Sequence, residues 1–225
     1  AKVPEAEFYV AECYRNTGKK EQACDWYKKA IDRDVNSSLA ETAMLNFSRL
    51  SYDLQRYNDA FGGYSSLLDE AKLENNKHTA RIGMMRSAFK AGNWTSALSC
   101  ADKVLADGKS TEPEIREAEF SKAKSLLSTN EREAAFEIFK KLSLEPSTSE
   151  GAESAYMVIQ DVYDQGRYEE VEKNVYAFGR KAGDQNYWLA KAFIVLGDSF
   201  ADQDNFAQAK ATFESVLNGY TPASG

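Results

Sequence analysis

The residue types offer little to a catalyst. The single histidine, His78, stands beside Lys77 and Thr79. No histidine pair for a metal and no second proton relay can therefore be assembled, and the position reads as the solvated start of a helix. Cys13, Cys24 and Cys100 form no C-x-x-C pair, and their odd number leaves at least one thiol free. They read as small apolar residues of helices. The FGGY at 61–64 lies inside a helical pattern and reads as a close helix contact, not a phosphate loop. The acid pair Glu169-Glu170 reads as a solvated face. What the chain does offer is a ladder of cations. Arg49, Arg86 and Lys124 recur at intervals of 37 and 38 residues. Four residues before each stand Leu45, Ile82 and Phe120, and three after stand Tyr52, Phe89 and Leu127. Those offsets share one helix face. Cations between apolar side chains suit an extended peptide, holding its acidic groups or a C-terminal carboxylate. An exposed cation contributes only ~0.2–1 kcal/mol, so the apolar flanks must supply most of the affinity. The competing reading makes these cations ordinary solvated charges, or partners of acids on neighbouring helices.

Composition narrows the classes. The 225 residues are 43% hydrophobic and 12% aromatic, the profile of a folded chain. Four prolines and 13 glycines are too few for a β-sandwich, which needs frequent turn signals. A formal charge of −7 argues against nucleic acid or an anionic membrane as partner, since phosphate neutralisation needs a basic face. The longest apolar run, LAKAFIVLG, is interrupted by Lys191 and is too short for a membrane span. The start at AKVPEAEFYV, without an initiator Met or a signal peptide, suggests a mature form or an excised piece.

The elements that position the ladder emerge from an internal repeat. LGDSFADQDNFAQAKATFESVL at 196–217 reads as two short helices around a polar turn, and similar hairpins occur six times. The turn residues are Gly18, Gln55, Gly92, Asn130, Gly166 and Asp204, separated by 37, 37, 38, 36 and 38 residues. All but Gln55 are types that tolerate a left-handed backbone at a helix end. Two places beyond the turn stand Tyr57, Trp94, Tyr168 and Phe206, with Lys20 and Arg132 as exceptions. Five places beyond stand Ala23, Ala60, Ala97, Ala135 and Ala209, with Val171 the sixth. Larger residues follow at helical spacing, among them Tyr27, Tyr64, Phe139 and Phe213, and predict a buried stripe. Capping boxes are expected at Ser38/Glu41, Thr111/Glu114 and Ser147/Glu150.

These columns resemble the tetratricopeptide repeat: a small residue and an aromatic in the first helix, Gly-x-aromatic at the turn, then Ala and an aromatic four later. The resemblance covers essentially the whole chain. It implies an all-α, right-handed superhelical solenoid of about six helix–turn–helix repeats, at approximately 4–37, 38–75, 76–109, 111–146, 148–184 and 186–220. The period of 36–38 exceeds the usual 34. With the terminal GYTP, it is similar to tetratricopeptide proteins of the bacterial envelope, of the barrel-assembly lipoprotein and Tol–Pal-associated types. The periplasm or envelope is the compartment this likeness implies.

In such an array the first helices line the concave face. The resemblance thereby implies a peptide groove of Arg49, Arg86 and Lys124 with Leu45, Tyr52, Ile82, Phe89, Phe120, Leu127, Tyr156 and Tyr163. The carboxylate clamp of chaperone-binding relatives, which pairs lysines with asparagines in the first two columns, is missing: the first column here is apolar and the second has no Asn. The implied role is a non-catalytic adaptor or scaffold for a protein segment, without cofactor, metal or nucleic acid. The alternative is a structural spacer whose ends associate with one another.

Overall fold

The computed structural model describes residues 3–36 and 38–220. The described residues are all-α, with helices α1 (Val3–Asn16), α2 (Lys20–Arg33), α3 (Ala40–Asp53), α4 (Tyr57–Glu70), α5 (Glu74–Lys90) and α6 (Trp94–Leu105), followed by α7 (Glu112–Ser128), α8 (Arg132–Leu142), α9 (Ser149–Asp164), α10 (Tyr168–Gly179), α11 (Asn186–Asp202) and α12 (Phe206–Gly219). The chain divides into two compact units, 1–130 and 131–225, and the boundary falls between α7 and α8, inside the fourth repeat. In the first unit each helix from α1 to α7 packs on the next in sequence. In the second, α9 packs on α8, α10 and α11, and α11 on α10 and α12.

The turns explain the hairpins. All six predicted turn residues have positive φ: Gly18 at 74°, Gln55 at 59°, Gly92 at 71°, Asn130 at 68°, Gly166 at 70° and Asp204 at 56°. Each lies between the first and second helix of its repeat, and the second helix begins two residues later. Gln55, the residue whose type departs from the column, adopts the same backbone as the glycines. A side chain in that region strains the backbone by roughly 1–2 kcal/mol, against roughly 0.5–1 kcal/mol of extra chain entropy that glycine loses on folding. Gln55→Gly is therefore expected to raise stability by about 0.5–1 kcal/mol, read as a higher urea midpoint at unchanged slope.

The small-residue column sits where the helices of a hairpin meet. Ala23, Ala60, Ala97, Ala135 and Val171 are fully buried, and Ala209 is 4% exposed. Close approach also explains two glycines: a Cβ on Gly83 would fall 2.5 Å from the Tyr64 ring, and one on Gly197 2.4 Å from Phe213. Within the FGGY segment Gly63 makes the expected contact, against Phe47 and Ser48, while Gly62 faces open space. The first unit is centred on Phe8, Tyr27 and Phe47 at one place and on Met44, Tyr64, Leu67 and Met85 at another. The second is centred on Ile159, Val171, Val175, Leu196 and Phe200.

Of the three capping boxes, Thr111 and Glu114 form theirs as expected. At α9 the cap is Thr148, whose hydroxyl accepts from the Gly151 amide at 3.1 Å, one residue beyond Ser147. At α3 there is no box, because the helix begins at Ala40 behind Leu39. Glu41 instead accepts from the Lys72 amide at 2.6 Å and the Asn76 side chain at 2.7 Å. No described helix is long and apolar enough to cross a membrane.

Candidate functional site

In the first unit the first helices α3 and α5 bring four of the predicted residues to one place. Arg49, Tyr52, Ile82 and Arg86 line a cavity of about 330 Å³, joined by Tyr64 from α4 and by Gly83. His78, Thr79 and Glu114 complete the lining. Ile82 is 5% exposed and reaches the cavity from within the core. Leu45 and Tyr52 are half-buried against the same core.

The cations differ in how they are held. Arg86 is gripped by Glu117, with its Nε 2.7 Å from one carboxylate oxygen and Nη2 2.6 Å from the other. Arg49 is exposed and makes no hydrogen bond or ion pair among the described residues. Lys124 is half-buried, with Nζ 5.9 Å from the centre of the Phe120 ring. Arg86 thus follows the competing expectation of a partner on a neighbouring helix, while Arg49 keeps an uncommitted charge.

The apolar columns are also partly engaged. Tyr52 packs edge-on to Tyr57 at 5.3 Å between ring centres, and Phe89 edge-on to Trp94 at 5.6 Å. The last turn of the first helix thereby rests on the aromatic that opens the second, a contact made across the left-handed turn. Phe120 and Leu127 are half-buried on α7.

Around the cavity the carboxylates are committed to partners. His78 is not a solvated helix start: its side chain is 17% exposed, with Nδ1 2.9 Å from Asp107 and Nε2 3.4 Å from Glu114. Asp107 comes from the segment after α6 and also accepts from Arg81 at 2.8 Å. Only the chain's return through the α6–α7 connection brings these groups together, so no local pattern at His78 announces it. Hydrogen bonding from His78, then from the Lys109 amide and Arg81, holds the Asp107 carboxyl down at about 2 against an ordinary 3.8. A depressed carboxyl stabilises the fold above its unfolded value, and the contribution is lost as pH falls through its folded value. Asp107 should therefore contribute about 2 kcal/mol above pH ~4, fading towards pH ~2. Urea unfolding across that range should show the loss in the wild type and a shallower slope in Asp107→Asn.

The second unit places its counterparts differently. Tyr163 donates to Asp202 at 2.7 Å, and that hydrogen bond is the main reason its phenol is pushed up to about 12. Tyr156 stacks at a tilt on Trp188, 5.5 Å between ring centres, and the Lys191 ammonium lies 4.3 Å from the Tyr156 centre. Asp198 holds its carboxyl above the ordinary aspartate range, through burial and the nearby Asp202. The cation ladder is therefore confined to the first unit; in the second, Tyr156 sits beside Trp188 and Lys191, and Tyr163 beside Asp202 and Asp198.

Sequence reasoning missed Tyr64, His78, Asp107 and Glu114 as site residues. Tyr64 belongs to the predicted buried stripe, where its ring does lie; the signal is a tyrosine in a column that phenylalanine could fill. Among the described residues no group of three or more His, Cys, Asp or Glu is placed to hold a metal. Cys24 and Cys100 are buried and Cys13 is exposed, and none is in a disulfide among the described residues.

Comparison with known proteins agrees with this architecture. Tetratricopeptide-repeat family models match residues 83–146 and 10–35. No curated protein gives a sequence match. A tetratricopeptide repeat protein from Parabacteroides merdae ATCC 43184 is similar in fold, with a TM-score of 0.65 at 16% identity over 99% of this chain and 82% of that one. BtubC (BKLC) from P. vanneervenii superimposes with a TM-score of 0.54 at 14% identity, over 100% of this chain and 96% of that one. With the repeat columns, the left-handed turns and the paired helices, these matches identify tetratricopeptide repeats at 83–146 and 10–35 within an all-helical repeat fold.

Proposed function

We propose that the chain is a non-catalytic protein-interaction module that binds an extended protein segment along the face of its first helices, as an adaptor or scaffold. The observation that carries this reading is the convergence of Arg49, Tyr52, Ile82 and Arg86 on one cavity of the first unit. An uncommitted cation beside apolar and aromatic surface favours a segment bearing acidic groups or a C-terminal carboxylate. Lys124, Phe120 and Leu127 extend the proposed contact along α7, and the longer period alone favours the periplasm or envelope as its compartment. The test is selection from a displayed peptide library on the whole chain, followed by binding of the selected peptides to the Arg49→Glu variant. Enrichment of acidic peptides that the variant fails to hold supports the groove; peptides held equally by both contradict it.

A spacer whose ends associate is the second reading. It is favoured by apolar exposure on the terminal helices: Tyr9 on α1 is 60% exposed, and Phe206 and Leu217 on α12 are 65% and 80% exposed. Sedimentation over a concentration series decides it, since a chain that stays monomeric throughout excludes the association.

A further inference from the structure

We propose that the cavity bordered by Arg49, Tyr52 and Tyr64 is a subsite for one anionic oxygen group, a carboxylate or a phosphate, gripped by the Arg49 charge and by hydrogen bonds from both phenols. As the subsite of a bound protein segment it rests on the groove reading above; as an anion site it stands on its own geometry.

The donors are the first observation. Tyr64 is 6% exposed and lines the cavity, and its hydroxyl makes no hydrogen bond among the described residues, so the O–H is available as a donor. The Tyr52 hydroxyl, on the same cavity, is likewise without a partner among the described residues. Gly83 makes the arrangement possible, because any side chain there would displace the Tyr64 ring.

Charge balance is the second. Every carboxylate near the cavity has its own cation or donors. Glu117 is taken by Arg86 at 2.6 Å, Asp107 by Arg81 at 2.8 Å and His78 at 2.9 Å, and Asp53 by Lys20 at 3.3 Å. Glu114 accepts from the Thr111 amide at 2.8 Å and lies 3.4 Å from His78. Once these pairs are set aside, Arg49 is the charge left for a ligand. Of the lining groups Arg86 is paired with Glu117, and the one carboxylate, Glu114, is held by Thr111 and His78. Arg49 and the two phenols therefore match an oxyanion better than an amide or an apolar group, since charge-assisted hydrogen bonds are about twice as strong as neutral ones.

The experiment is a titration of the isotope-labelled whole chain with glutarate and, separately, with inorganic phosphate, at constant ionic strength and read by NMR. Saturable shifts confined to α3, α4 and α5 are expected. Apparent affinity should fall about tenfold in Arg49→Gln and about threefold to fivefold in Tyr64→Phe, which removes one hydroxyl and keeps the ring. Lys103→Gln, an exposed charge on α6, should change nothing. Tighter glutarate binding assigns the site to carboxylates, and tighter phosphate binding to phosphoryl groups. Shifts that never saturate, or saturable binding that Tyr64→Phe and Arg49→Gln leave unchanged, overturn the subsite. A selected peptide that Arg49→Glu fails to hold, yet that binds Arg49→Gln and Tyr64→Phe as well as wild type, would remove the subsite and leave the groove. Saturable anion binding without any peptide binding would do the reverse.

Discussion

Arg49→Glu is expected to weaken the binding of selected acidic peptides by about 30- to 100-fold while leaving the fold unchanged. The two halves of this expectation have separate causes. Arg49 is exposed and makes no hydrogen bond or ion pair among the described residues, so its reversal removes no internal contact. Surface changes of this kind usually stay within about 0.5 kcal/mol of neutral. Opposite a ligand acid, however, reversal replaces attraction by repulsion beside the apolar wall of Ile82 and Tyr52. A like-charge contact of that kind costs about 2–3 kcal/mol, which sets the fold-change. Arg86→Glu would be a poorer test, because it also sets two carboxylates together where Glu117 now grips Arg86. Titration calorimetry on both chains, with matched thermal melts, checks the expectation.

Tyr27→Ala is expected to be the most destabilising of the substitutions considered, at about 3–5 kcal/mol. The ring is fully buried on α2 and packs edge-on to Phe8 at 5.7 Å between ring centres. Its hydroxyl donates to Glu12 and accepts from Asn46 at 3.2 Å, while Asn46 also donates to Glu12 at 3.0 Å. Tyr27→Phe keeps the packing and breaks only this network, for about 1–3 kcal/mol. The difference between the two variants separates the cavity cost from the polar cost. Burial first, and the bond to Glu12 next, push the Tyr27 phenol up from 10.0 to about 12. Its contribution is therefore intact below pH ~10 and lost as pH rises through about 12. Urea unfolding of the three chains checks the order, and Tyr27→Phe should lose less stability than wild type on the alkaline limb.

Local chemistry decided what could be read from the sequence. The six turn residues were legible because the left-handed backbone selects side chains at a single position, and even Gln55 keeps that backbone in a turn otherwise like its neighbours. The alanine column was legible because small side chains let paired helices approach closely, and Ala23, Ala60, Ala97 and Ala135 are fully buried. The cation ladder was legible as register but not as charge. Whether a cation is committed depends on groups far along the chain: Glu117 takes Arg86 and leaves Arg49 alone. The same distance hid the His78–Asp107–Glu114 cluster and the bond from Tyr163 to Asp202. Ser38/Glu41 misled because the box pattern needs only two common residue types, and Glu41 found better donors on Lys72 and Asn76.

The most direct test of the groove maps a library-selected acidic peptide onto the isotope-labelled whole chain by NMR. Binding through the proposed face predicts that the largest shifts fall on Arg49 and Tyr52 of α3, Ile82 and Arg86 of α5, and Tyr64 of α4. Shifts confined to α2 and α6, or to the terminal helices α1 and α12, with α3 and α5 unmoved, would contradict it.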